Sequence, residues 1–162
     1  MTDDVIRDPL SPADVAAIRQ RMGLTQTALG EIMGVDLRTW MRKEANPDDL
    51  VSKYDSSRLN IGETNFLLLL ADEHPVWRLK NYSPEKVFPK VIREQPSADE
   101  VKELRTALGM KQQEIADMLG YTLAAWKSKQ SKANSGTLKP GEYNFLMLLA
   151  NVHPGLKLTK RT

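Results

Sequence analysis

The chain has 162 residues, 23 Lys and Arg against 21 Asp and Glu, and a formal net charge of +2. Hydrophobic residues make up 41% and cysteine is absent, which allows a packed core and excludes disulfides, thiolate zinc sites and a cysteine nucleophile. The longest apolar runs, 66–71 and 145–150, fall far short of the ~20 residues of a membrane helix. The opening MTDDVIRDPL lacks the basic and apolar regions of a signal peptide, so a soluble, cytoplasmic protein is expected.

From residue 11 the pattern is helical. Ser11 suits a cap, Pro12 the first helical position, and Asp14 is placed to answer the cap's amide. Val15, Ile18 and Met22 share one face, and Gly23 ends the helix. Thr25 caps a short second helix that turns Leu29, Ile32 and Met33 inward and stops at Gly34. Asp36 caps a third that begins at once, with Trp40 one turn in and pointing to the core. Two short helices separated by so brief a glycine turn must cross at a large angle, as in a helix-turn-helix unit. Gly30 falls where the third helix crosses the second, and Val35 plugs the corner. NPDDLVSKYDSS reads as a polar loop, and a helix apolar nearly all round, Phe66 to Leu70, closes the bundle.

The chain then repeats itself. Gly23, Gln26, Gly34, Leu37 and Trp40 match Gly109, Gln112, Gly120, Leu123 and Trp126 at an offset of 86. Ser11, Val15 and Arg19 match Ser97, Val101 and Arg105 at the same offset. IGETNFLLLLADEHP matches PGEYNFLMLLANVHP at an offset of 79, so the first copy carries seven extra residues, which fall within the polar loop. The chain divides into repeat 11–75, a linker 76–96 whose three prolines exclude a continuous helix, repeat 97–154 and a basic tail 155–162. Net charges of these four parts are −3, +3, +1 and +3. The linker and tail therefore carry the basic excess, suited to phosphate contacts or to solubility. Residues 76–80 and 156–160 occupy matching places and alternate apolar with polar. They suit either two short strands that pair and tie the repeats together or extended tails.

The stretch GLTQTALGEIMGVDLRTWMRKE, with its second copy, resembles the lambda repressor and Cro-like (Xre-type) helix-turn-helix DNA-binding family. The resemblance covers most of 11–75 and 97–154, and the second copy keeps the frame but departs at the reading face. It implies a mainly α fold of two pseudo-symmetric helix-turn-helix bundles whose third helices enter the major groove. In the first copy the implied contacts are Leu37, Arg38, Met41 and Arg42, with Gln26 and Thr27 at the start of the second helix. Arg38 or Arg42 suits guanine, Leu37 a thymine methyl, and Gln26 a phosphate. In the second copy they are Leu123, Ala124, Lys127 and Ser128, with Gln112 and Gln113.

The plainer readings are a solvated helix face for Arg38 and Arg42, core packing for both tryptophans, core filling for Met22, Met33, Met118 and Met147, and helix termination for the two His-Pro pairs. No catalytic constellation, metal spacing or glycine-rich phosphate loop is visible. The expectation is a non-enzymatic protein without cofactor or metal. It is expected to bind double-stranded DNA in a sequence-specific manner on an imperfect inverted repeat, as a transcriptional repressor of a phage, plasmid or other mobile element. No membrane association is expected, and the chain acts either as a monomer forming an internal pseudo-dimer or as a homodimer. The alternative is a protein-interaction module such as an antitoxin or scaffold.

Overall fold

The computed structural model describes residues 2–8, 10–45, 58–130 and 138–161; the polar loop predicted to hold the seven extra residues lies outside them. The fold is mainly helical with one two-stranded sheet. The first repeat supplies α1 (Pro12–Met22), α2 (Gln26–Ile32), α3 (Leu37–Lys43) and α4 (Ile61–Leu70), and β1 (Trp77–Leu79) follows at the start of the linker. The rest of this connecting segment holds only α5 (Pro84–Val87) and a 3-10 turn, Phe88–Lys90. The second repeat supplies α6 (Ala98–Leu108), α7 (Gln112–Leu119), α8 (Leu123–Ser128) and α9 (Pro140–Leu149), and β2 (Leu158–Lys160) lies in the basic tail.

The helix starts follow their capping chemistry. Ser11, Thr25, Asp36, Ser97 and Thr122 each accept the backbone N–H three residues on. Ser97 and Glu100 close a reciprocal capping box, the Ser97 amide donating to Glu100 Oε1 at 3.0 Å. At α1 only the forward bond is made, because Asp14, one methylene shorter than glutamate, does not return it.

The helices α4 and α9 have nine of their ten residues buried, which explains their lack of a polar stripe: they pack against each other as well as against their own repeats. Contact is close at Gly62 and Gly141. A Cβ at Gly62 would lie 2.7 Å from Glu142 Cγ, and one at Gly141 would lie 2.8 Å from Met33 Cε. Gly62→Ala is therefore expected to push the two helices apart and cost about 2 kcal/mol, as overpacking does. A urea midpoint unchanged from the parent would refute so tight a crossing.

Between β1 and β2 the pairing is antiparallel, with Leu79 opposite its repeat-equivalent Leu158. The paired-strand reading of these segments is thus the one the structure adopts. Where α4 meets α9, Gly62 lies against Glu142 and Gly141 against Glu63. Each turn between the short helices abuts the other repeat, Gly34 against Pro140 and Gly120 against Ile61; the linker's Arg93 also meets Gly34, and Arg7 Nη1, upstream of the first repeat, donates to Asp117 O at 3.2 Å. Buried apolar residues of both repeats form one continuous core.

The two His-Pro pairs do more than end helices. Asn65 Nδ2 donates to Ile6 O and Ile61 O, while its Oδ1 accepts the Ile6 amide and lies 2.9 Å from His74 Nε2. His74 Nδ1 in turn accepts the amides of Val76 and Trp77. Asn144, Ile92 and His153 repeat the arrangement, with His153 Nδ1 accepting from Gly155 and Leu156. Nδ1 is the acceptor, so each ring is neutral with its proton on Nε2, and burial pushes both histidines down to about 4. Ile6 and Ile92, with the buried Val5 and Val91, stand at the 86-residue offset, so the structural equivalence begins upstream of the matched sequence blocks.

Candidate nucleic-acid interface

The short helices α2 and α3 cross closely because Gly30 is small: a Cβ there would lie 3.2 Å from Val35 O and 3.4 Å from Trp40 Cβ. Ala116 is the buried counterpart at the crossing of α7 and α8. In both repeats the tryptophan is fully buried, which settles Trp40 and Trp126 as core. With Trp40 and Lys43 turned inward, α3 presents Leu37, Arg38, Met41 and Arg42 outward. Leu37 is 44% and Met41 50% exposed, and neither Arg38 nor Arg42 pairs with a described carboxylate. Asp36 caps the same helix; its bond to Thr39 holds its carboxyl below the usual range, and Arg38 and Arg42 contribute to that.

On α8 the outward positions are Ala124, Lys127 and Ser128, all exposed, while Leu123 is half-buried. Thr27 and Gln113 are exposed, and Gln113 Nε2 donates to Asp117 Oδ1. Gln26 and Gln112 are half-buried and partly committed inward. Gln26 Nε2 donates to Glu44 Oε1 at 3.2 Å, and Gln112 Oε1 accepts from Gln130 Nε2 at 2.9 Å.

These glutamines belong to a network that sequence reasoning missed. The Glu44 side chain, 5% exposed, takes both prongs of the Arg19 guanidinium at 2.7 and 3.0 Å and accepts Trp40 Nε1–H at 2.5 Å. It ties α1, α2 and the end of α3 together. In the second repeat Gln130 stands in its place, accepting from Arg105 at 3.1 Å, and Trp126 Nε1 has no hydrogen-bond partner among the described residues. Glu44 and Gln130 lie one step past the matched helices, four residues after each tryptophan; that spacing was the available signal.

A second unforeseen group lies where α4 crosses α9. Glu63 and Glu142, equivalent by sequence, are both buried, and Glu63 Oε2 and Glu142 Oε1 have no hydrogen-bond partner among the described residues. Lys43 Nζ lies 3.9 Å from Glu63 Oε1, and the Asn60 amide donates to that oxygen. Burial lowers the Lys43 pKa, opposed by Glu63 and reinforced by Lys139. The Tyr121 hydroxyl donates to Glu142 Oε2 at 2.5 Å, and Lys129 Nζ sits 4.6 Å from the centre of the Tyr121 ring. Burial raises Glu142 to about 7, with Glu63 adding to the rise and Tyr121 and Lys129 opposing it. The Tyr121 hydroxyl is raised as well, by burial first and then by Glu142.

Among the described residues no group of three or more His, Asp or Glu side chains is placed to hold a metal, and no helix is long and apolar enough to cross a membrane. No family model, curated protein or solved structure matches this chain.

Proposed function

We propose that the protein is a sequence-specific double-stranded DNA-binding regulator, a repressor by function, in which α3 and α8 are the reading helices of two lambda-repressor-like helix-turn-helix bundles. The observation that carries this reading is the way α3 is divided. Trp40 and Lys43 are buried, while Arg38 and Arg42 are displayed without a described carboxylate partner beside Leu37 and Met41. Guanidinium groups so placed suit bidentate bonds to guanine, and the exposed Leu37 suits a thymine methyl. The same positions on α8 carry Ala124, Lys127 and Ser128, a face built more for phosphate than for bases. Because the repeats share one core and a paired sheet, one chain supplies both reading helices to one operator.

The test is selection of bound duplexes from random DNA, followed by light scattering of the complex. The expected result is an imperfect inverted repeat bound by one chain, with the better-defined half under the first repeat. Arg38→Ala or Arg42→Ala should cost about 1–3 kcal/mol and relax base preference in that half only. Lys127→Ala should weaken binding evenly and reduce the salt slope by about one phosphate. Two chains on a minimal site would overturn the one-chain reading.

The exposed Leu37 and Met41 also favour a second reading, in which α3 docks on an apolar protein surface. Salt dependence separates the two: log affinity for mixed promoter DNA falls linearly with log salt if DNA is the partner.

A further inference from the structure

The turns that precede α3 and α8 lie at the N-terminal ends of α9 and α4, and the β1–β2 pair lies beyond the C-terminal ends of the same helices. A ten-residue helix is about 15 Å long, so these are separate regions of the molecule. Beside the sheet is a cleft of about 710 Å³, walled by the segment after β1, the α5 turn and residues 153–157. Lys80, Lys86, Lys90 and Lys157 line it, along with Tyr82 and His153. All four lysines are exposed, and none pairs with a described carboxylate. Glu85, the acid on α5, bonds to Ser83 and does not line the cleft. His153 is neutral with both ring nitrogens engaged, and the Tyr82 hydroxyl donates to Leu70 O, so the lysines are the charged groups that face a ligand, with the exposed Asn81 beside them.

The internal repeat supplies its own comparison. Lys157 is equivalent to Arg78, and Arg78 is paired with Asp72 at 3.1 Å. Around that first-repeat corner Arg161 also pairs with Asp72, at 3.1 Å, and Lys160 with Asp4, at 3.5 Å. The equivalent of Asp72 is Asn151, and the equivalent of Asp4 is Lys90. At the first-repeat corner two carboxylates hold all three cations in ion pairs. At the other, Asn151 and Lys90 stand at those positions, and Lys90 and Lys157 line the open cleft with no described carboxylate paired to either.

We propose that this cleft binds a small molecule carrying two or more phosphate groups. Four ammonium groups around one concavity repel each other until a multivalent anion sits between them, and lysine meets phosphate well as a point charge. The volume is that of a small-molecule site, and a duplex is too wide to enter it. The occupant would join Lys80 at the end of β1, Lys86 and Lys90 of the connecting segment, and Lys157 just before β2, and so clamp the seam between the repeats. This assignment does not depend on DNA binding by α3 and α8.

Inorganic tripolyphosphate is the probe, titrated into the full chain and followed by amide chemical shifts. Saturable shifts are expected at Asn81, Tyr82, Gly155 and Leu156, with a stoichiometry of one. Lys86→Ser and Lys157→Ser should each weaken binding about tenfold. Asn151→Asp, which removes no lysine and restores the acid found in the other repeat, should weaken it comparably. Shifts that never saturate, or that are the same in Asn151→Asp, would overturn the proposal. So would displacement of tripolyphosphate by a short duplex of arbitrary sequence, since the cleft would then be part of a DNA-backbone contact.

Discussion

Replacing Trp40 by alanine should destabilise the protein by about 3–5 kcal/mol and replacing Trp126 should do the same, the range for deleting a large buried aromatic. Both side chains are fully buried. Because α4 packs on α9 and one apolar cluster runs through both repeats, either variant should melt in a single transition at a lower temperature. Phenylalanine separates the two sites. Trp40→Phe strips a donor from Glu44, a nearly buried carboxylate, and should cost about 1–3 kcal/mol beyond the change in packing. Trp126→Phe loses no hydrogen bond, since Trp126 Nε1 has none, and should be the milder change. Urea denaturation of the four variants decides; equal losses for the two phenylalanine variants would mean that the Trp40–Glu44 bond contributes nothing net.

Glu142 should make the protein less stable as pH rises through neutrality. Its folded pKa of about 7 lies above the ordinary glutamate value near 4.5, so between these values the folded state binds more proton than the unfolded state. The stabilisation is full below pH 4.5 and is lost as pH climbs through 7, by up to about 3 kcal/mol. His74 and His153 act in the opposite sense. Held near 4 by burial, they contribute stability above about pH 6.5 that disappears as pH falls toward 4. The two effects overlap, so the glutamate is isolated by comparison with Glu142→Gln, which keeps an acceptor for Tyr121 and cannot ionise. At pH 5 the variant and its parent should be nearly equal in stability; at pH 8 the variant should be more stable. A difference that does not vary with pH would mean that Glu142 holds one charge state throughout.

Local chemistry was readable because it is local. Ser11, Thr25, Asp36, Ser97 and Thr122 cap bonds three residues away, and the four left-handed glycines 23, 34, 109 and 120 close turns of their own. The inward tryptophans followed from helical spacing on short helices, and the outward arginines from the resemblance to the helix-turn-helix family. What escaped depends on contacts between distant segments. Asn65 and Asn144 each hold backbone 59 and 52 residues away, and nothing in a helix window announces that partner. An asparagine recurring directly before the Phe of two helices rich in leucine was the trace left in the sequence. Glu63 and Glu142 sit in the first turns of helices, where acids are ordinarily solvated. Here α4 meets α9, with Lys43 beside Glu63 and Tyr121 beside Glu142, and both acids are buried.

The seam formed by α4 against α9 and β1 against β2 has a consequence for mass action. Two chains with one repeat each would separate on dilution, and their pairing would depend on the square of their concentration. Here each repeat meets its counterpart at an effective concentration set by the chain that joins them, however little protein is present. A single molecule is already the paired state. Residues on one side are also released from matching those on the other, since no copy must pair with itself. The ion pair of Arg19 with Glu44 against the neutral bond of Arg105 with Gln130 is that freedom written into the structure.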